Sequence, residues 1–337
     1  MSAFLDGLEG LQRGVQLDAE SAEGLLAEVL DGKVEPPRIA EFLKTLADRG
    51  ETAAELTGFA RAMRARAIHI EVPVGAVDTC GTGGSGKPTV NTSTLAAFTL
   101  AAAGVPVAKH GNRASSGLCG SADVLDRAGV RVEVEPDECT ALLERTGLAF
   151  LHAPLFHPSM MYVGPVRREL GIRTVFNFLG PLCNPGGVRR QLLGVSSGEH
   201  APRMAAALAE LGVDRAVVVA GDDGLDELSL AGPTQIWVVD GGEVRHAEVT
   251  PEAVGLRSRP FEEFAGGDPD RNLSIFQELI DGATGAHGDH LTLNVAAGLL
   301  VAGKVDDLTD GVELAREVRQ SGRVRTVFED YREAARS

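Results

Sequence analysis

Cysteine is scarce and scattered: the four thiols, Cys80, Cys119, Cys139 and Cys183, form no C-x-x-C pair. A zinc site or a disulfide framework is therefore not expected, and four reduced thiols are the default reading. Basic side chains are also in deficit. The 32 Lys and Arg face 48 Asp and Glu, a formal net charge of -16. That balance argues against broad backbone binding to duplex nucleic acid, which needs a basic face. It does not exclude a small polyanion held locally by backbone N–H groups and a few cations. Long apolar runs are missing, since none approaches the roughly 18 residues of a membrane span. The start, Met1-Ser2-Ala3-Phe4-Leu5-Asp6, lacks the basic-then-apolar layout of a signal peptide. A cytoplasmic chain with neither nucleic acid nor membrane as partner is expected. His287 and His290 sit in a glycine-rich stretch without other ligand signals, so they receive no metal role.

What is present suits a soluble globular protein: 337 residues, 44% hydrophobic and 24% charged. The length allows two domains. The first seventy or so residues read as helices only. Leu25, Leu26, Val29 and Leu30 form one apolar stripe, and Ile39, Phe42, Leu43 and Leu46 form another. Pro36-Pro37 separates them. Thr52-Ala53-Ala54-Glu55 reads as a capping box opening a helix that carries Leu56, Phe59 and Met63. Beyond Glu71-Val72-Pro73 the character changes. Strand-like runs at Val105 to Ala108, Leu148 to His152, Leu192 to Val195 and Ala216 to Ala220 alternate with helical segments such as Thr94 to Ala103 and Met204 to Leu211. Such alternation predicts an α/β domain with a largely parallel sheet. Gly241-Gly242 between Trp237-Val238-Val239 and Val244 predicts a hairpin, so the sheet is expected to be mixed. After Asn272 the chain returns to helix.

Four segments carry chemistry. In Asp78-Thr79-Cys80-Gly81-Thr82-Gly83-Gly84-Ser85-Gly86-Lys87 a strand enters a glycine loop, and Asn91-Thr92-Ser93-Thr94 opens the helix that leaves it. Glycine lets backbone N–H groups approach an anion, and the helix N-terminus adds its dipole. The alternative is a plain strand-to-helix turn with Asn91 or Thr92 as N-cap. Lys109-His110-Gly111-Asn112-Arg113, leading to Gly120-Ser121-Ala122-Asp123, reads as a polar cluster following a strand. Its alternatives are an exposed basic loop and, for His110, a structural histidine. In the stretch from His157 to Gly171, Arg167 has the fork to clamp a planar carboxylate; a surface ion pair with Glu169 or a neighbour is the alternative. Finally, Gly221-Asp222-Asp223-Gly224-Leu225-Asp226-Glu227 crowds four carboxylates at a strand end, which repel unless a cation compensates. Magnesium favours one or two carboxylates plus substrate oxygens; a solvated acidic loop is the alternative.

Together and in this order, these segments resemble the anthranilate phosphoribosyltransferase family, over nearly the whole chain. The resemblance implies a small N-terminal helical domain, residues 1–72 joined by helices from about 158–185, and a larger α/β domain, residues 73–337, with a mostly parallel central sheet. The active site would lie at the hinge, and the chain would form a homodimer. It implies that Gly81, Thr82, Gly83, Gly84, Ser85, Asn91, Ser93, Thr94, Lys109, Asn112, Ser116 and Gly120 bind phosphoribosyl pyrophosphate. Gly81, His110, Asn112 and Arg167 would face anthranilate, and Ser93, Asp226 and Glu227 would engage Mg2+. No side chain is expected to act as a covalent nucleophile. The sequence departs from the family pattern at Ser85, where Asp is usual, at Gly117 and Cys119, where serines are common, and at Met161, where a basic residue is common. Three rival readings follow: a related transferase acting on another aromatic amine, a non-catalytic relative that binds nucleic acid, and a pyrimidine nucleoside phosphorylase of shared architecture.

Overall fold

The computed structural model describes residues 3–114 and 118–336; the expectation placed on Ser116 lies outside them. Four helices come first, α1 (Ala3–Gln12), α2 (Ala19–Leu30), α3 (Pro36–Arg49) and α4 (Ala53–Arg64). Local chemistry sets their starts. Asp18 accepts from Ser21 N at 2.8 Å to open α2. Pro36-Pro37 does more than separate two helices, since it occupies the first turn of α3, where a missing N–H costs nothing. The capping box is present: Thr52 Oγ1 accepts from Glu55 N at 3.2 Å, and Glu55 Oε2 accepts from Thr52 N at 2.9 Å.

The α/β part then runs β1 (Val77–Gly81), α5 (Thr92–Ala102), β2 (Val107–Gly111), α6 (Ser121–Arg127), α7 (Pro136–Thr146) and β3 (Leu148–His152). Next come α8 (Ala153–Phe156), α9 (Gly164–Leu170), α10 (Phe176–Leu182), β4 (Arg190–Gly194), α11 (Ala201–Glu210), β5 (Arg215–Gly221), β6 (Thr234–Asp240) and β7 (Glu243–Val249). The chain ends in α12 (Pro269–Ile280), α13 (Ala286–Ala302), α14 (Leu308–Gln320) and α15 (Arg323–Ala334). All seven strands form one sheet in the order β3-β2-β1-β4-β5-β6-β7. The first five are parallel, and β6 and β7 are antiparallel, with Gly241-Gly242 turning the hairpin as expected.

Side chains alternate across the sheet and feed two cores. Leu192, Val217 and Val219 pack under α5, α12, α13 and α15, while Leu193, Ala216, Val218 and Ala220 pack with α11 and the helical bundle. Val166, Phe176, Phe178 and Leu182, from α9 and α10, join that second core. The helical bundle thus covers one face of the sheet, and the C-terminal helices cover the other. No helix among the described residues is long and apolar enough to cross a membrane.

The strand order fixes where a ligand can sit. From β1 the chain winds outward to β2 and β3, then returns to place β4 on the other side of β1. Crossovers leaving in opposite directions open a crevice at the carboxyl ends of β1 and β4, the usual binding place in such sheets.

Candidate active site

The loop after β1 and the acidic loop after β5 meet over this crevice. Gly83 N donates to Asp226 Oδ2 at 2.8 Å. A Cβ on Gly81 would lie 2.6 Å from the same oxygen, so the close approach requires glycine. Gly83, Gly84 and Gly86 all adopt positive φ, which turns the loop back on itself. Ser196, beyond β4, braces it by donating from Oγ to Gly83 O at 3.0 Å. Ser85 Oγ accepts from Lys87 N at 3.3 Å.

Beneath the loop lies a buried polar knot. Lys109 and His110 were expected to follow a strand; instead they lie inside β2, 3% and 7% exposed. Lys109 Nζ donates to Thr79 O and, at 3.1 Å, to Ser93 Oγ. Thr79 Oγ1 donates to Ser93 O at 2.8 Å, so β1, β2 and the start of α5 are tied at one point. Asp78 accepts from His110 N at 3.1 Å and from Gln191 Nε2 at 3.3 Å. Burial pushes Asp78 up and Lys109 down, and each restores the charge of the other. Asn91 stands at the N-cap position without capping: its Nδ2 donates to Cys119 O at 3.0 Å. Its Oδ1 and the Thr94 hydroxyl are buried without a hydrogen-bond partner among the described residues. Gly120 N donates to Asp123 Oδ2 at 2.9 Å, closing the loop that follows β2.

The four carboxylates after β5 have separate fates. Asp222 accepts from Gln235 Nε2 at 3.2 Å, and Asp223 from Ser229 Oγ at 3.0 Å, with Lys87 Nζ 3.2 Å away. Asp226 and Glu227 turn inward instead. With Thr79, Ser93 and Asn294 they line a cavity of about 20 Å³. Burial raises Asp226, and burial together with the Asp226 charge raises Glu227 well above the usual carboxylate range. Among the described residues Glu227 Oε2 has no hydrogen-bond partner, and it lies 3.3 Å from His290 Nε2. Two crowded acids held by burial and mutual repulsion suit a divalent cation. Among the described residues no three His, Cys, Asp or Glu side chains converge to cage one. An ion here would complete its shell with Ser93, water and substrate oxygens, the habit of Mg2+.

The other wall is less polar. The His110 ring lies against His157 at 5.1 Å; its Nδ1 meets Gly180 O at 3.0 Å, and its Nε2 is buried without a partner among the described residues. Burial, then His157, drives its pKa down to about 3, so the ring is neutral. Arg167 is half-buried with its guanidinium 5.4 Å from the Phe176 ring, and no carboxylate lies within ion-pair distance among the described residues. The ion pair with Glu169 is thus not formed. Asn112 is exposed, its Oδ1 accepting from Arg113 N at 2.8 Å. Arg167 makes no hydrogen bond to His110 or Asn112 among the described residues.

Sequence comparison accounts for this arrangement. The model of a glycosyl transferase family a/b domain matches residues 74–325, and that of its helical bundle domain matches residues 6–67. The chain is 44% identical over 329 residues to the anthranilate phosphoribosyltransferase of Mesorhizobium japonicum, covering 98% of each. The chain belongs to the anthranilate phosphoribosyltransferase family. Solved members share its shape. The Thermus thermophilus anthranilate phosphoribosyltransferase superposes with a TM-score of 0.92 at 43% identity, covering all of both chains. The Saccharomyces cerevisiae enzyme, solved with phosphoribosyl pyrophosphate and Mg, gives 0.91 at 27% identity over 99% of this chain and 98% of its own.

Within this member of the anthranilate phosphoribosyltransferase family, the sequence reading missed several residues that build the site. Asp78, Gln191 and Asn184 hold the knot from below, the last donating to Ala108 O at 2.8 Å. A lone acid just before Thr-Cys-Gly on a strand is the signal that could have exposed Asp78. His290 was set aside, yet it faces Glu227 from α13. No local pattern announces that contact.

Proposed function

We propose that this chain transfers a phosphoribosyl group from phosphoribosyl pyrophosphate to the amine of anthranilate, releasing pyrophosphate. The observation that carries the reading is the joining of the glycine loop, the Lys109 knot and the inward-turned Asp226-Glu227 pair at one switch point of the sheet. Gly81, Thr82, Gly83, Gly84, Ser85, Asn91, Ser93, Thr94, Lys109, Asn112, Ser116 and Gly120 bind the donor. Ser93, Asp226 and Glu227 hold Mg2+, which when bound neutralises charge growing on the pyrophosphate. Gly81, His110, Asn112 and Arg167 receive anthranilate, with Arg167 forked onto its carboxylate. The amine lone pair forms the bond to the anomeric carbon as the bond to pyrophosphate oxygen breaks, and an amine proton is then lost. An aromatic amine is already neutral at pH 7, so positioning and leaving-group stabilisation dominate and no covalent nucleophile is needed. Residues 1–72, joined by helices from about 158–185, act as the helical domain and residues 73–337 as the donor-binding domain. We place the protein in the cytoplasm as a homodimer.

The test follows loss of anthranilate fluorescence with donor and Mg2+, against a metal-free control. Magnesium-dependent consumption with pyrophosphate release is expected. Asp226→Asn with Glu227→Gln should cut turnover by about 10²- to 10³-fold and abolish its metal dependence. A folded wild-type protein that binds the donor but consumes another aromatic amine would reassign the acceptor. Failure to bind the donor would refute the transferase reading.

A further inference from the structure

The cations around the donor loops are nearly all committed. Lys109 is buried on Thr79 O and Ser93 Oγ. Lys87 is paired with Asp223, and Arg113 with Asp123 and Asp126. Arg173 is the exception: it is exposed and has no carboxylate partner among the described residues. It stands between α9 and α10, on a segment whose Val175, Phe176 and Phe178 are buried with the helical bundle. Its guanidinium nonetheless reaches the glycine loop of the α/β domain. Nη1 donates to Ser196 Oγ at 3.2 Å, and Ser196 Oγ donates to Gly83 O at 3.0 Å. A Cβ on Gly84 would fall 2.2 Å from Nη1, so the guanidinium occupies the space that a side chain there would need. The Phe178 ring, 5.3 Å away, supports the guanidinium. Its charge also favours the ionised form of Asp226.

We infer that Arg173 is a donor-binding residue that contacts the pyrophosphate of phosphoribosyl pyrophosphate, the helical side's own contribution to the anion cradle. The inference rests on the donor reading of the glycine loop given above. A guanidinium presents five N–H donors in a planar fork matched to phosphate oxygens, and only Nη1 is engaged among the described residues. In a chain of net charge -16, a cation left unpaired over a glycine loop is well placed to attract a polyanion. Because Arg173 belongs to the helical side, donor binding would also fasten that side to the α/β domain across the crevice.

Calorimetry with phosphoribosyl pyrophosphate and with inorganic pyrophosphate, both with Mg2+, tests the inference on wild type, Arg173→Gln, Arg173→Lys and Ser196→Ala. Arg173→Gln is expected to weaken both ligands by about 10- to 100-fold, the worth of a charge-assisted hydrogen bond, and Arg173→Lys to recover part of the loss. The Michaelis constant for anthranilate should stay within about twofold. Ser196→Ala should cost much less than Arg173→Gln, since it removes the brace and keeps the cation. Unchanged ligand affinity in a folded Arg173→Gln protein would overturn the inference. So would a Ser196→Ala variant as weak as Arg173→Gln, which would make Arg173 a loop brace. A wild type that binds neither ligand would overturn the donor reading itself, and this inference with it.

Discussion

The two walls of the crevice are built on opposite plans. On the donor wall the knot is already held by protein partners, since Lys109 holds Thr79 and Ser93, Asp226 holds Gly83, and Asp78 holds His110 N and Gln191, while Asn91 Oδ1, the Thr94 hydroxyl and Glu227 Oε2 stay open among the described residues. On the acceptor wall, among the described residues, His110 Nε2 has no partner, Arg167 rests on an aromatic face, and the Asn112 side chain bonds only to Arg113 N next to it. A highly charged donor needs a cradle fixed in advance, because dipoles that reorient during reaction lose much of their stabilising effect. A small planar acceptor needs shape and one well-placed cation. Mutations should therefore damage folding and donor binding together on the first wall, and acceptor binding alone on the second.

Lys109→Ala is the sharpest break of that contrast. It removes the cation facing buried Asp78 and one tie between β1, β2 and α5. Leaving a buried charge unpaired costs about 3–5 kcal/mol. A marked fall in melting temperature and a large loss of donor affinity by calorimetry are both expected. A variant with native stability and unchanged donor affinity would show that the knot is not part of the cradle.

Arg167→Ala should show the opposite signature. No carboxylate within ion-pair distance is left behind among the described residues, so stability should change little. The Michaelis constant for anthranilate should rise about 10- to 100-fold, as expected for a lost charge-assisted hydrogen bond, while that for the donor holds. A matching rise for the donor would move Arg167 to the other wall.

The histidines of the acceptor wall predict a smaller, pH-dependent effect. Burial holds His157 down to about 4 and His110 down to about 3. In the unfolded chain both return to about 6.5. The unfolded state therefore binds more protons between the two values. Stability is full above pH 6.5 and falls as the pH drops towards 4, by up to about 1.4 kcal/mol per pH unit for each histidine. Melting temperatures at pH 7, 6 and 5 should fall less steeply in His157→Phe than in wild type. Comparing slopes cancels the buried carboxyls, whose raised values act with the opposite sign. Equal slopes would remove His157 from the account.

The architecture was legible because it is written locally. The apolar stripes of α2 and α3, the capping box at Thr52 and the Gly241-Gly242 turn need only neighbouring residues to specify them. The glycine loop and the paired acids were legible as motifs. Lys109 was misread as a loop cation because its burial depends on Asp78, which lies on a neighbouring strand. His290 and Arg173 escaped for the same reason: Glu227 and Gly84 meet them only after folding. The separation of the four carboxylates was also invisible, since it depends on Gln235, Ser229 and Lys87 arriving from elsewhere.

The smallest effect is expected at Cys80, which tests whether every group on the donor wall matters. Its thiol lines the same cavity as Ser93, Asp226 and Glu227 and accepts from Gln191 Nε2 at 3.1 Å. Burial and the nearby Asp78 charge push the thiol well above its ordinary pKa, so it stays protonated and is a poor nucleophile. Serine is slightly smaller and keeps an acceptor for Gln191. Cys80→Ser should therefore hold turnover and both Michaelis constants within about threefold, with under roughly 1.5 kcal/mol lost in stability. A folded but inactive Cys80→Ser protein would show instead that sulfur takes part in the chemistry, and the donor wall would then have to be read as reactive as well as electrostatic.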